Sequence, residues 1–342
     1  MPEVLHRRLV QAAKRAVFAS LGDRLLVRFV LARLPRSANV EVTTVCNLAC
    51  PLCPTHIVPR TSRTLGVELV EALLESAGGA LKSVCLHVQG EPTVHPRLYD
   101  IVRLFAGRGV EVWFGTNGML LEQQLDELFD SGLDGIAIDL DGVDAEDYGR
   151  YRKRGDFERV LGGARALIAE KLRRGAAKPF VQLQMVMFSY NERRLPEVRE
   201  LLDGLGADRV HLKRPAYELD LEEGRRRGLE LEPEVERRVE SAADEFLEQV
   251  EADNTDLAFS RRATGLEDQL FRNRRLCPQL ERATVLSDGR VVACCMDALG
   301  TTTFGDLGEE PFDEIWRGER HAQVLQSFLD RELPVCATCT LA

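Results

Sequence analysis

The sequence predicts an α/β protein: a parallel sheet of six strands with helices outside it, followed by a small cysteine-rich α+β unit. Three observations carry this expectation. Between residues 39 and 214, six strand-like runs alternate with helix-like ones, the order that a parallel sheet requires. The strands alternate apolar with polar residues, so one sheet face is dry and the other polar. After Cys277 the texture changes to a hairpin-like run, a helical run and a closing pair of cysteines. Six units fall short of the eight that close a full barrel, so a partial barrel is expected.

Residues 1–38 come first and carry eight basic residues against Glu3 and Asp23. Leu5, Leu9, Val10, Val17, Leu21, Leu25 and Phe29 recur at helical spacing up to Pro35. Two readings stand: amphipathic helices packed on the body, or a basic helix making weak contact with an anionic membrane surface or acidic partner. The strands follow at 39–45, 83–88, 110–115, 134–140, 180–187 and 208–214, with helices at 67–77, 98–106, 120–131 and 157–173. On one face lie Val40, Val42, Val84, Leu86, Ile136, Ile138, Leu183 and Met185. On the other lie Glu41, Thr43, His87, Gln89, Asp139, Gln182, Gln184, His211 and Lys213. A polar inner face suits a polar ligand better than a plug of valine and leucine. By this parity His87, Gln184, His211 and Lys213 are pocket candidates, and Cys85 also points inward.

Residues 215–270 are charge-dense and read as a solvated helical linker. In 271–342, Asp288-Gly289 marks the turn of a β-hairpin, and residues 311–330 read as helical.

The formal charge of −10 argues against a nucleic-acid partner. No apolar run approaches the ~18 residues of a membrane span, and no secretory signal is visible, so a cytoplasmic, reducing location is expected. There, nine cysteines read as metal ligands or nucleophiles before disulfides.

Directly after the first strand comes Cys46-Asn-Leu-Ala-Cys50-Pro-Leu-Cys53, a C-x3-C-x2-C loop. A tetrahedral zinc site would need a fourth ligand, for which His56 is the candidate. A [4Fe–4S] cube held by three thiolates leaves one iron open for an exogenous ligand. The loop resembles the defining motif of the radical S-adenosylmethionine (SAM) enzymes, in which it follows the first strand of a partial (β/α)6 TIM-like barrel. Further segments support the resemblance over 39–214. Gln89-Gly90-Glu91-Pro92 resembles the family's GGE-P motif, which binds the methionine amino group. Thr116-Asn117-Gly118 resembles its TNG segment. Asp139-Leu140-Asp141-Gly142 with Tyr148 and Arg152 resembles a stretch approaching the SAM ribose and carboxylate. Gln89 stands where that family has glycine, Asp139 where serine is usual, and Leu52 where an aromatic residue is common. The resemblance implies SAM contacts at Gly90, Glu91, Asn117, Asp139 and Arg152, with Glu91 and Asp139 also catalytic candidates beside Lys213. It also implies reductive cleavage of SAM to a 5′-deoxyadenosyl radical, fed by a donor such as flavodoxin or ferredoxin.

Cys277, Cys294, Cys336 and Cys339 give C-x16-C-x41-C-x2-C, which as bare chemistry fits zinc or an iron–sulfur cluster. The pattern resembles the SPASM or twitch extension of radical SAM enzymes. The resemblance implies an auxiliary [4Fe–4S] cluster on these four cysteines, two clusters in all; the chain ends without the further cysteines of a full SPASM unit, favouring the twitch form. Cys295, on strand parity, should face away from Cys294: either a buried apolar side chain or a thiol that returns hydrogen to a substrate radical. Twitch and SPASM enzymes act on peptides or on small molecules such as sugars and cyclitols. The 38 residues before the first strand are too few for a winged-helix leader-binding domain, which leans towards a small polar substrate and an oxidation, with peptide maturation or epimerisation as alternatives. A non-catalytic iron–sulfur or zinc protein is the reading outside this class.

Overall fold

A computed structural model describes residues 22–50, 53, 55, 60–187, 191, 193–213, 277–297, 299–330 and 332–336. The linker expectation at 215–270, most of the basic extension, His56 and Cys339 lie outside the described residues. The first described helix is α1 (Asp23–Leu31). The six expected strands are β1 (Ser37–Val40), β2 (Ser83–Cys85), β3 (Glu111–Thr116), β4 (Gly135–Asp139), β5 (Phe180–Val186) and β6 (Arg209–Lys213). They pair in parallel, each with the next, so the sheet of a partial barrel forms as expected. Outside it lie α2 (Val67–Ser76), α3 (Leu98–Gly107), α4 (Leu125–Asp130), α5 (Ala145–Tyr151), α6 (Phe157–Arg174) and α7 (Leu195–Leu205).

The alternation is real. Val40, Leu86, Ile136, Ile138, Leu183 and Met185 are fully buried against the helices. Burying each such side chain contributes roughly 1.5–3 kcal/mol, so a one-residue register slip, which would turn them all inward, is excluded energetically. The expected helix at 120–131 is broken. Leu121–Gln124 forms a 3₁₀ turn before α4, and Gln124 donates to Thr93 O (3.0 Å) and accepts from the Tyr99 hydroxyl (3.0 Å).

The C-terminal hairpin joins the barrel's own sheet. β7 (Arg282–Val285) lies parallel to β1 on the side away from β2. β8 (Arg290–Val292) returns antiparallel through the turn at Asp288-Gly289, and β9 (Gly305–Asp306) follows. The order is β6-β5-β4-β3-β2-β1-β7-β8-β9, so β1 is an interior strand and the sheet does not close on itself. The following helical run is two helices, α8 (Phe312–Arg317) and α9 (Glu319–Leu329), separated by Gly318 in an extended conformation (φ −70°, ψ 162°).

The described part of the basic extension packs on the body. Leu26 and Val30 of α1 are buried, and Trp316 Nε1 donates to Arg33 O (2.8 Å) and Val30 O (3.3 Å). His321 stacks on Phe304 (centroids 4.2 Å apart) and donates from Nδ1 to Trp316 O (2.6 Å). Burial pulls this imidazole down from the ordinary 6.5 to about 4, so it is neutral at pH 7. The unfolded chain therefore takes up a proton first as pH falls. Stability is complete above about 6.5 and is lost progressively towards about 4, by about 2 kcal/mol at pH 5. Urea unfolding at pH 7 and pH 5 should show a loss larger by about that amount in wild type than in His321→Gln, which keeps a donor but cannot titrate. Equal losses would refute the assignment.

Candidate functional site

The cysteine loop leaves the sheet where β1 ends. Thr43 bridges antiparallel to Thr64, Leu65 N–H donates to Val42 O (2.8 Å), and Thr44 N–H donates to Arg63 O (2.9 Å). Residues 42–44 and 63–65 thus close the neck of an excursion bearing Cys46, Cys50 and Cys53. This pairing explains why the first strand is shorter than expected: past Val40 its partner on one side becomes the returning arm. Cys46 Sγ accepts from Leu48 N–H (3.4 Å) and from Asn117 Nδ2 (3.9 Å). Arg152 Nη1 lies 3.9 Å from Cys50 Sγ. Burial pushes the Cys46 thiol up to about 11 and the Cys50 thiol up to about 12, so both must shed a proton to ligate metal.

Glu91 is 3% exposed and wholly engaged with the protein. Its Oε1 accepts from Thr93 N–H (3.1 Å), Thr93 Oγ1 (2.6 Å) and Thr116 Oγ1 (2.6 Å), and its Oε2 from Asn117 N–H (2.7 Å). Its own N–H donates to Val45 O (2.8 Å). The carboxylate expected to meet a ligand's amino group thus joins the turn after β2 to the end of β3, while the Glu91 backbone N–H ties this corner to the cysteine loop. Gly90, beside it, has φ +71°, and a Cβ there would lie 2.2 Å from Thr43 O. Only glycine lets the chain pass so close to the neck. Asn117 donates to Asn47 Oδ1 (2.7 Å) and accepts from Met119 N–H (3.0 Å), which fixes its amide at Cys46.

Across the loop, Arg152 is held by two carboxylates. Its Nη2 is 2.5 Å from Asp141 Oδ2 and 3.1 Å from Asp139 Oδ2, and its Nε donates to Asp141 Oδ2 (2.6 Å). Burial opposes the guanidinium charge, but Asp141 and Asp139 outweigh it and hold the pKa above its ordinary value. Asp139 Oδ1 accepts from Gln184 Nε2 (2.6 Å), and Asp141 Oδ1 from Val186 N–H (2.6 Å). Asp139, Arg152 and Gln184 thus come together at the ends of β4 and β5. His211 is exposed on β6, and Lys213 pairs with Val186 through its backbone.

At the second cluster, Cys277, Cys294, Cys295 and Cys336 are all half-buried. Cys294 Sγ accepts from Met296 N–H (3.4 Å), repeating the contact of Cys46 with the amide two residues on. β8 ends at Val292, so Cys294 and Cys295 sit on a turn and strand parity does not apply. The neighbouring Cys295 thiol and burial together hold the Cys294 thiol far above the ordinary thiol range. Gln279 Nε2 donates to Cys295 Sγ (3.7 Å).

The donor set fits the groups that the resemblance implies. A cysteine loop with one thiolate beside a buried guanidinium and another beside an amide suits an anionic cluster. Among the described residues, no three His, Cys, Asp or Glu side chains converge as they would on a single ion. A four-iron cube gives each thiolate its own iron and needs no such convergence. Gln89 Oε1, buried at the glycine position of the motif, has no hydrogen-bond partner among the described residues, an acceptor suited to an ammonium group. The sequence reading gave no role to Asp141, the partner of Arg152, or to Glu41, which it placed on the polar face and which is fully buried. An acidic residue between Val40 and Val42 was the available signal.

Comparison with known proteins places the chain. The family model of the Radical SAM superfamily matches residues 40–202, and that of the SPASM iron–sulfur cluster-binding domain matches residues 277–340. A GTP 3′,8-cyclase of Chlorobaculum tepidum is 34% identical over 133 residues, 38% of this chain and only 40% of that protein. A probable GTP 3′,8-cyclase of Methanopyrus kandleri is 31% identical over 219 residues, 62% of this chain and 69% of that protein. A tungsten-containing aldehyde ferredoxin oxidoreductase cofactor-modifying protein of Pyrococcus furiosus is 25% identical over 325 residues, 88% of this chain and 86% of that protein. The crystal structure of BtrN in complex with AdoMet and 2-DOIA superposes with a TM-score of 0.51 at 16% identity, covering 90% of this chain and 94% of that one. The chain belongs to the radical SAM superfamily and carries a C-terminal SPASM domain. It is a radical SAM enzyme, with SAM and [4Fe–4S] clusters as its cofactors.

Proposed function

We propose that this enzyme oxidises a small polar molecule, such as a sugar or cyclitol, by removing hydrogen from a carbon that bears a hydroxyl or amino group. The observation that carries the reading is the polar inner face at the carboxyl ends of β4 and β5, where Asp139, Gln184 and Arg152 form one hydrogen-bonded set. When bound, the cofactors supply the electron chemistry and the 5′-deoxyadenosyl radical that takes a hydrogen atom from substrate. The protein's part is orientation and the exclusion of water.

On this reading Cys46, Cys50 and Cys53 hold the SAM-binding cluster, and Cys277, Cys294, Cys336 and Cys339 hold the auxiliary one. Asn117 and the Leu48 amide steady the Cys46 sulfur. Glu91 acts by positioning, since its carboxylate joins Thr93 to Thr116 and Asn117 while its N–H is bonded to Val45 O of the loop. Gln89 and the backbone at Gly90 face the methionine amino group, and Arg152 meets the carboxylate end of SAM. Gln182, Gln184 and His211 supply hydrogen-bonding groups for the substrate's hydroxyls, with Lys213 beside them in sequence register.

Cys295 bears on the outcome. Epimerisation needs a thiol free to return hydrogen to the substrate. The contact of Gln279 Nε2 with Cys295 Sγ (3.7 Å) favours a supporting role instead, and hence oxidation. The test uses the reduced, reconstituted enzyme with a panel of carbon-deuterated cyclitols, amino sugars and peptides. Deuterium should pass from a cyclitol or sugar into 5′-deoxyadenosine, with a ketone formed in equal amount and no solvent deuterium in the product. Cys295→Ala should keep turnover. Deuterium arriving only from peptides would refute the reading, and so would solvent deuterium in a product that Cys295→Ala cannot complete.

A further inference from the structure

Besides Glu91 and Asp139, another buried carboxylate lies on the sheet's inner face, and no motif pointed to it. Glu41 follows β1 directly and is 0% exposed. Its Oε1 accepts from Arg60 Nη1 (2.6 Å) and its Oε2 from Arg60 Nη2 (2.9 Å), a two-pronged ion pair with the returning arm of the cysteine loop. The same Oε2 accepts from Ser287 N–H (3.0 Å) and Ser287 Oγ (2.8 Å), at the turn of the β7–β8 hairpin. Glu41 N–H also donates to Val285 O (2.8 Å). One carboxylate thus grips two segments, one bearing Cys46, Cys50 and Cys53, the other leading within seven residues to Cys294.

We propose that Glu41 is a positioning residue that sets the SAM-binding cluster loop against the auxiliary hairpin, so that a contact on the hairpin tunes SAM binding. The physical argument is one of leverage. SAM bound here would be held both by the cluster on the cysteine loop and by groups at the ends of β2 and β4, so these elements must keep a fixed relation to one another. The neck at 42–44 and 63–65 fixes the root of the loop on the β2 side. Glu91 braces it towards β3, and only the Glu41–Arg60 pair ties its returning arm to β7 among the described contacts. A buried charge pair of this geometry is costly to break and specifies a single arrangement, which suits it to a fixed brace.

The inference rests on the reading that Cys46, Cys50 and Cys53 hold the cluster that binds SAM, and the test separates the two. Wild type, Ser287→Ala, Ser287→Thr and Glu41→Gln are reconstituted and compared for iron content, SAM dissociation constant by equilibrium dialysis, and the electron paramagnetic resonance spectrum of the reduced protein with and without SAM. Among the described contacts Ser287 reaches neither the cysteine loop nor Gly90, Asn117 or Arg152, so its effect should pass through Glu41. Ser287→Ala should keep wild-type iron yet bind SAM several-fold more weakly, with a smaller SAM-induced spectral change. Losing the charge in Glu41→Gln should weaken SAM by about tenfold. Ser287→Thr, which keeps the hydroxyl, should match wild type. Unchanged SAM affinity and spectrum in Ser287→Ala would overturn the proposal, as would a loss of affinity that only follows a loss of iron. If wild type itself shows no SAM-dependent spectral change, the underlying reading fails and takes the proposal with it.

Discussion

Replacing Cys46, Cys50 and Cys53 together by alanine should lower bound iron from about eight to about four per chain and abolish SAM cleavage. The three thiolates stand on one loop whose neck is closed by backbone bonds at Thr43, Thr44 and Leu65, so the loop itself should survive. What is lost is the donor set. Among the described residues, the Glu91 carboxylate accepts from four protein donors and is not placed to replace a thiolate. The auxiliary cysteines lie away from this loop, Cys277 before β7 and Cys294 and Cys336 after β8, and should keep their cluster. Iron and sulfide analysis after anaerobic reconstitution, with 5′-deoxyadenosine counted after reduction, checks this. Stoichiometric zinc at the C-terminal cysteines, with about four iron in the wild type, would defeat the two-cluster assignment.

Replacing Arg152 by alanine should cost about 3–5 kcal/mol of stability, because it leaves Asp141 and Asp139 as close, buried carboxylates without their cation. Asp141 has a fully buried side chain, and its contact with Arg152 is 2.5 Å. The same change should weaken SAM binding by a further charge-assisted contact, about 1.5–3 kcal/mol. Arg152→Lys separates the two effects. It keeps the charge but loses the fork that reaches Asp141, Asp139 and Cys50 at once, so stability should partly recover while SAM affinity stays reduced. Denaturant unfolding and equilibrium dialysis provide the two readouts. An unchanged unfolding midpoint together with unchanged SAM affinity in Arg152→Ala would mean that this cluster of charges is not part of the site.

Much of this architecture was legible before any coordinates. Helix and strand periods depend on neighbours a few residues apart, so Val40, Ile136, Ile138, Leu183 and Met185 announced the dry face, and each is buried. The C-x3-C-x2-C loop was equally legible, because three ligands of one cluster lie within eight positions. Where the reading erred, it extended a local rule past its range. The parity assigned to Cys295 assumed a strand that ends at Val292. The donors that Glu91 meets at the end of β3, some 25 residues on, were likewise beyond the reach of a local rule.

The sequence by itself determined the elements, their order, the polar inner face and the two cysteine motifs, since each follows from spacing along the chain. Only the tertiary structure decided which polar groups are free to meet a ligand and which are spent on the protein. Glu41 and Ser287 are separated by 246 positions, yet they meet because β7 docks beside β1. Arg152 finds Cys50 across 102 positions because β4 and the cysteine loop end at the same edge of the sheet. Hydrogen bonds and ion pairs act over about 3 Å, and the chain order holds no record of which distant groups folding brings within that distance.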